Sequence, residues 1–340
     1  MSGPRKRAAR LLRWYPGAWR ARYGAEFTEL LIADLAERPR SPARTADVIR
    51  GGIVARLTGA GLCGFAPDGT ERAGKRARAS LASLACCTAV FLGFGGAMWS
   101  QLTIGWQWSV PDTAAAVATV VMSGAMLVLA VLALLAALPV ARAVAARIAR
   151  GPDRGLLGPS ALFLAGLVVV FAGGRHFGNG WPGTGGHPWA HPGPVPGGVA
   201  AFSWASTLSV SSFWAHPAAL AAFPAAELTW MALSPLALAG LVTGAAAIVR
   251  RTELSPAVLR FETRLARAAC VTMAVFLGAG GAWIADRTAP AGGPFYPGAI
   301  DVAGLAVMAL ALATGWQAAR QAVASARAIT ASPATSIAPG

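Results

Sequence analysis

Four histidines, His176, His187, His191 and His216, fall in one apolar, glycine- and proline-rich segment, and imidazoles in that number could hold copper or zinc. His187 and His191 stand four residues apart, but each is followed by proline, which denies them a shared helix face. No Cys, Asp or Glu lies near them before Glu227. A solvated loop therefore accounts for them more simply than a metal centre. Other chemistry has less to stand on: there is no glycine loop with a phosphate-binding lysine, no His-Glu-x-x-His and no pair of neighbouring carboxylates. The run Gly93-Phe-Gly-Gly lies inside an apolar stretch, where it cannot cradle phosphate. The chain is expected to be non-catalytic and to carry no cofactor.

The elements around these residues are those of a membrane protein. Of the 340 residues, 55% are hydrophobic and 13% charged, too apolar for a soluble core of that size and suited to a bundle facing lipid. Six apolar stretches approach the roughly 20 residues that cross a hydrocarbon layer of about 30 Å: Ala79 to Ser100, Thr113 to Leu138, Pro159 to Gly174, Ala225 to Val249, Ala268 to Ala285 and Ala299 to Gln317. If the segments on the N-terminal side of the membrane are inside, they hold 27 of the 29 Lys and Arg, leaving only Arg175 and Arg287 outside. That sorting obeys the positive-inside rule and predicts a multi-pass cell-membrane protein with both termini cytoplasmic. It also explains the net charge of +15 through insertion and anionic lipid rather than nucleic acid. No cysteine reaches the outer face, so no disulfide is expected.

Residues 1–78 form a basic cytoplasmic prefix and linker, 79–318 the bundle, and 319–340 a disordered cytoplasmic tail. In the prefix, Trp19, Tyr23, Phe27, Leu30, Leu31 and Leu35 recur at helical spacing between Pro16 and Pro39, predicting one amphipathic helix. A second helix begins at Ser41-Pro42, with Ile49, Ile53 and Leu57 as the face that meets the first. The two make a hairpin whose core is the aromatic stripe. Arg20 and Arg22 lie off the stripe and are the candidates for binding a cytoplasmic or membrane protein partner.

The bundle contains a repeat. Ala89-Val-Phe-Leu-Gly93-Phe-Gly-Gly-Ala97 matches Ala274-Val-Phe-Leu-Gly278-Ala-Gly-Gly-Ala282 at eight of nine positions, and each copy leads to a helix opening on Asp112 or Asp301. Val168 to Gly174 is a fainter third copy. Helical hairpins of one orientation are thus repeated about an axis along the membrane normal. Gly93, Ala97, Gly278 and Ala282 present small residues every fourth position and are expected to be helix-packing sites. The long outer segment 175–224 interrupts this pattern. Its part from Val199 to Phe223 is expected to lie at the outer interface, with Trp204 and Trp214 at headgroup level.

The prefix also carries a resemblance. The run Leu11-Leu-Arg-Trp-Tyr-Pro16-Gly-Ala-Trp19-Arg20-Ala-Arg22-Tyr23-Gly24-Ala-Glu26-Phe27, followed by a Pro-Arg turn and an Arg-Gly-Gly-x-x-x-Arg-Leu pattern, resembles the cytoplasmic N-terminal segment of uncharacterised actinobacterial polytopic membrane proteins. It is also similar to the prefix of some ABC-type permeases. The resemblance implies an inner-membrane protein with a cytoplasmic adaptor and permease-like partners, and no catalytic residue. The chain departs from those permeases in lacking a large extracytoplasmic domain. An all-α integral membrane fold follows, with a six-helix bundle of duplicated hairpins and a small N-terminal hairpin. Three functions are open: a membrane anchor or regulatory protein, a transport subunit needing a separate ATPase, and an extracytoplasmic metal-binding protein or metal-dependent enzyme.

Overall fold

The computed structural model describes residues 3–37, 41–64, 70–108, 113–151, 154–177, 225–287 and 299–331. These residues form nine α-helices and no strand: α1 Gly3–Leu12, α2 Gly17–Glu37, α3 Pro42–Gly59, α4 Thr70–Trp108, α5 Thr113–Ala149, α6 Arg154–Phe177, α7 Ala225–Arg251, α8 Pro256–Arg287 and α9 Ala299–Ala331. Each of the six apolar stretches lies within one of the helices α4 to α9.

The N-terminal unit has three helices rather than two. The basic stretch before Tyr15 is itself helical, because Ala8, Leu11 and Tyr15 recur on one face and meet Leu31, Leu35 and Val48 in a common core. Tyr15 is only 7% exposed and organises the aromatic residues: its ring lies 4.1 Å from that of Trp19 and 5.3 Å from that of Phe27. Tyr23 and Leu30, expected in the core, are exposed. The second expected face is also turned. α3 presents Val48, Ile49 and Ala55 inward, while Ile53 and Leu57 face out. The cause is the Gly51-Gly52 pair: a Cβ on Gly52 would lie 2.7 Å from Trp14 Cβ and 2.9 Å from its carbonyl carbon, so the glycines let α3 approach the turn between α1 and α2. Arg56 fixes that approach by donating to the carbonyls of Trp14 and Arg13, at 2.6 and 2.8 Å. Ser41 caps α3 as its sequence implies, accepting from Arg44 N at 3.3 Å with Pro42 in the first turn.

Among the described residues, four helices are long and apolar enough to cross a membrane, with candidate spans Thr70–Gly96, Ala116–Ala149, Pro256–Ala285 and Val302–Ile329. Four of the six expected spans meet this test; the apolar part of α6, Gly155–Val170, is short, and side chains in the first half of α7 fall partly outside the described residues. The outward faces suit a bilayer: Leu127, Leu134 and Leu138 on α5, Val271 and Val275 on α8, and Leu310 on α9 are all exposed. Apolar side chains left outward in this number have no place in water.

These four helices overrun the membrane at one end. α5 has 37 residues, about 55 Å at 1.5 Å per residue, against a hydrocarbon layer of about 30 Å. At this end Ala77, Leu81 and Leu84, where the apolar stretch of α4 begins, form one core with Leu259 and Ala266 of α8 and Ala318, Ala319 and Ala322 of α9, and Val140 and Ala143 of α5 pack against it. Residues 319–331 are therefore a continuation of α9 and not a disordered tail, since their alanines give a smooth face on which α4 lies. Arg72, Arg76, Arg264, Arg267 and Arg320 belong to the same stretches of helix, so this is the basic end of the bundle.

The two copies of the repeat pack on each other. α4 lies along α9, and α8 lies along both α5 and α9, so the equivalent pairs α4–α9 and α8–α5 are both formed. At the crossing of the copies, the equivalent residues Phe91 and Phe276 meet edge to face with ring centroids 5.5 Å apart. The glycines that permit the crossing are the equivalent pair Gly95 and Gly280. A Cβ on Gly95 would lie 3.0 Å from the Phe276 ring, and one on Gly280 would lie 2.9 Å from Met98 Sδ. Gly93 is buried, but Gly278 and Ala282 face outward, and a Cβ on Gly278 would meet nothing within 4 Å. The packing glycines thus stand two residues beyond Gly278 on its helix; the Ala97 side chain is outside the described residues. The hairpin α6–α7 pairs chiefly with itself and leans on α4 through α7. Its close crossing uses Gly166, where a Cβ would strike the carbonyl of Ala237, and Gly244, where one would lie 2.8 Å from Phe163 N and Pro159 O.

Candidate functional site

Where the N-terminal unit meets the basic end of the bundle, local chain geometry and polar side chains converge. α3 closes with a left-handed glycine, Gly61 at φ 73°. Gly61 N donates to Thr58 O at 3.0 Å and Leu62 N to Leu57 O at 2.9 Å, the pair of bonds that satisfies the last carbonyls of a helix. The carbonyls that follow are then free to accept from the bundle. Ser83 Oγ donates to Ala60 O at 2.7 Å, Ser80 Oγ to Gly61 O at 2.7 Å and Gln317 Nε2 to Leu62 O at 3.1 Å. Arg76 Nη2 completes the set at Cys63 O, 2.7 Å, Gly64 O, 2.6 Å, and Gln321 Oε1, 3.0 Å.

Five consecutive residues, 60–64, are thereby clamped to α4 and to α9 at once. The bond at Gly61 O is buried and those at Ala60, Leu62 and Cys63 are half-buried, and a buried carbonyl left unpaired costs more than the net value of its bond, so the clamp is specific to this chain path. Gly61 has no alternative there, since a Cβ would fall 2.5 Å from Ser80 Oγ and 2.7 Å from Ser80 N. The glycine in Ala60-Gly-Leu, just after a helical pattern, was the sequence signal for this junction, and the spacing Ser80-x-x-Ser83 opposite it carried no distinctive mark.

At the same end of the bundle, Glu262 of α8 is 6% exposed and its Oε1 has no hydrogen-bond partner among the described residues. It shares the stripe of Leu259 and Ala266, which face the core of the basic end. Thr252, Thr263 and Ser325 are the other polar side chains buried at this end. Arg147 and Arg251 tie the α6–α7 hairpin to it: Arg147 Nη1 donates to Arg251 O at 2.7 Å, and Arg251 Nη1 to Gly155 O.

Arg20 and Arg22 are both exposed on α2, with the Arg22 guanidinium 5.1 Å from the Tyr23 ring centroid. Neither takes part in the clamp, so the surface they offer is separate from the junction. Of the histidines, His187, His191 and His216 lie outside the described residues; His176 is on the last turn of α6, its side chain undescribed. Among the described residues no three His, Cys, Asp or Glu side chains gather as metal ligands. The four cysteines are free thiols, and Cys63 sits in the clamp with Sγ 3.3 Å from Thr58 Oγ1. Comparison with known proteins finds no family model, no curated protein and no solved structure that matches this chain.

Proposed function

We propose that the chain is a non-catalytic integral membrane protein in which a six-span bundle, completed by α6 and α7, holds a basic three-helix unit at the cytoplasmic face for a protein partner. The observation that supports this most is the clamp: a unit with its own core is hydrogen-bonded through residues 60–64 to α4 and α9, two helices long enough to cross a membrane. A freely hinged adaptor would not need four donors from the bundle. The sorting of 27 Lys and Arg to one side supports placing both termini in the cytoplasm of a cell-membrane protein. A second reading, a permease-like subunit working with a separate ATPase, draws on the packing of the two hairpin copies against each other and on the resemblance of the prefix.

Affinity purification from native membranes tests the proposal. The wild-type chain is expected to retain a protein partner. The Arg20→Glu, Arg22→Glu double variant should insert and remain helical yet lose that partner, because reversing two exposed charges in an interface opposes binding without touching the core. Retention of an ATPase by the wild type would favour the permease reading. A wild-type chain that retains no protein contradicts both.

A further inference from the structure

We propose that the outward face of α3, with Trp14 beside it, is a lipid-docking surface that rests on an anionic bilayer next to the bundle. The inference rests on reading α4 and α9 as membrane-crossing helices, and it concerns a face distinct from Arg20 and Arg22.

Ile53, Val54 and Leu57 occupy one face of α3 and are 42%, 47% and 38% exposed, although the unit has a core of its own in which they take no part. Trp14 is exposed too and is held against α3 by the Arg56 bond to its carbonyl. Three apolar side chains and a tryptophan left outward ask for a cover.

Position supplies the cover. The chain just after α3 is bonded at Ala60 to Ser83, at Gly61 to Ser80 and at Leu62 to Gln317, the residues where the apolar stretches of α4 and α9 begin and end. Leu57 and Val54 are then within about 4.5 and 9 Å of that level along the helix, at 1.5 Å per residue. The headgroup layer on each side of the hydrocarbon is roughly 5–8 Å deep, so Leu57 stands within it and Val54 at its outer edge. The outward positions of α3 also change along its length: Ala43, Ala46 and Asp47 are at the far end, and the apolar residues are in the two turns nearest the clamp. Charge agrees with this placement. Arg13 and Arg50 are exposed around the apolar patch, and basic side chains flanking an apolar and tryptophan-bearing face are the pattern of a helix lying on anionic lipid.

The test uses the full-length chain with its four native cysteines replaced, carrying a single spin label and reconstituted in nanodiscs of phosphatidylglycerol mixed with phosphatidylcholine, in nanodiscs of phosphatidylcholine alone, and in detergent. Labels at Val54→Cys, at Val275→Cys on the outward face of α8 and at Ala25→Cys on α2 are compared for collision with oxygen, which concentrates in lipid, and with a water-soluble nickel chelate. In anionic discs the Val54 label should lose nickel accessibility and gain oxygen accessibility, while the Ala25 label stays aqueous. Substituting Arg13→Gln and Arg50→Gln should return the Val54 label toward water with the helical content unchanged. A Val275 label in lipid with a Val54 label in water overturns the docking surface and leaves the bundle reading standing. If both labels are aqueous, the bundle reading falls and the docking surface with it. A Val54 label shielded from oxygen as well as from nickel, in the discs and in detergent alike, means that protein such as a second copy covers the face, which also overturns the proposal. Equal depth in anionic and phosphatidylcholine discs removes its electrostatic part and contradicts the choice of anionic lipid.

Discussion

Replacing Gly61 by valine is expected to release the N-terminal unit from the bundle while leaving both folded. Two effects add. A β-branched residue at φ 73° enters the left-handed region at a cost of about 1–2 kcal/mol, and its Cβ would lie 2.5 Å from Ser80 Oγ and 2.7 Å from Ser80 N. The second contact is to backbone, which cannot rotate away. Once residue 61 moves, the carbonyls of 60, 62, 63 and 64 move with it and leave Ser83, Gln317 and Arg76, at a net of about 1 kcal/mol for each bond. Several kcal/mol favouring the open state correspond to a rise of at least about tenfold in opening, given about 1.4 kcal/mol per decade. Limited proteolysis between α3 and α4, in detergent, should show that rise. Gly59→Val is the control, because a Cβ there meets nothing within 4 Å. Equal cleavage of the two variants would mean that the clamp does not hold the unit.

The second large effect is expected at the crossing of the two hairpin copies. Gly280→Leu must force its side chain against Met98, Leu305 and Met122, and Gly95→Leu against the Phe276 ring and Met308. Overpacking of this kind costs about 1–3 kcal/mol where the surroundings yield, and here two helices must part, losing contacts that lipid does not restore. Both variants should melt well below the wild type in detergent. Gly278→Leu should not, since its position opens outward and leucine favours helix over glycine by up to about 1 kcal/mol. A melting temperature lowered equally by Gly278→Leu and Gly280→Leu would contradict the crossing as described.

The contrast between Gly278 and Gly280 also marks how far the sequence could be read. The repeat itself was legible, because Val-Phe-Leu within a glycine-alanine frame is a pattern that two segments do not share by composition alone. Its packing face was not. Gly93, Gly95 and Gly96 stand so close together that small residues cover most of the helix circumference, and only the partner helix decides which of them is crossed. In the N-terminal unit, the helix boundaries at Pro16 and Ser41-Pro42 followed from local backbone chemistry. The inward face of α3 did not, since Ile49, Ile53 and Leu57 are as good a stripe as Val48, Gly52 and Ala55 until the Gly51-Gly52 approach to Trp14 is known. α1 was missed for a related reason: its charge masks a short apolar stripe of Ala8, Leu11 and Tyr15. The overrun of α9 past Gln317 was hidden because an alanine-rich segment with two arginines has the composition of a tail and the propensity of a helix. The clamp joins residues as much as 255 positions apart, Leu62 and Gln317, and no local pattern announces it.

Labelling in intact cells shows whether a bundle crossing the membrane carries the basic N-terminal unit on its cytoplasmic side. In a chain whose native cysteines are replaced, a cysteine at Ala25, exposed on α2, should react with a membrane-impermeant thiol reagent only after the cells are permeabilised. A cysteine at Gly292, between α8 and α9, should react before permeabilisation. Reaction of the Ala25 cysteine in intact cells, or failure of the Gly292 cysteine to react there, would contradict the arrangement.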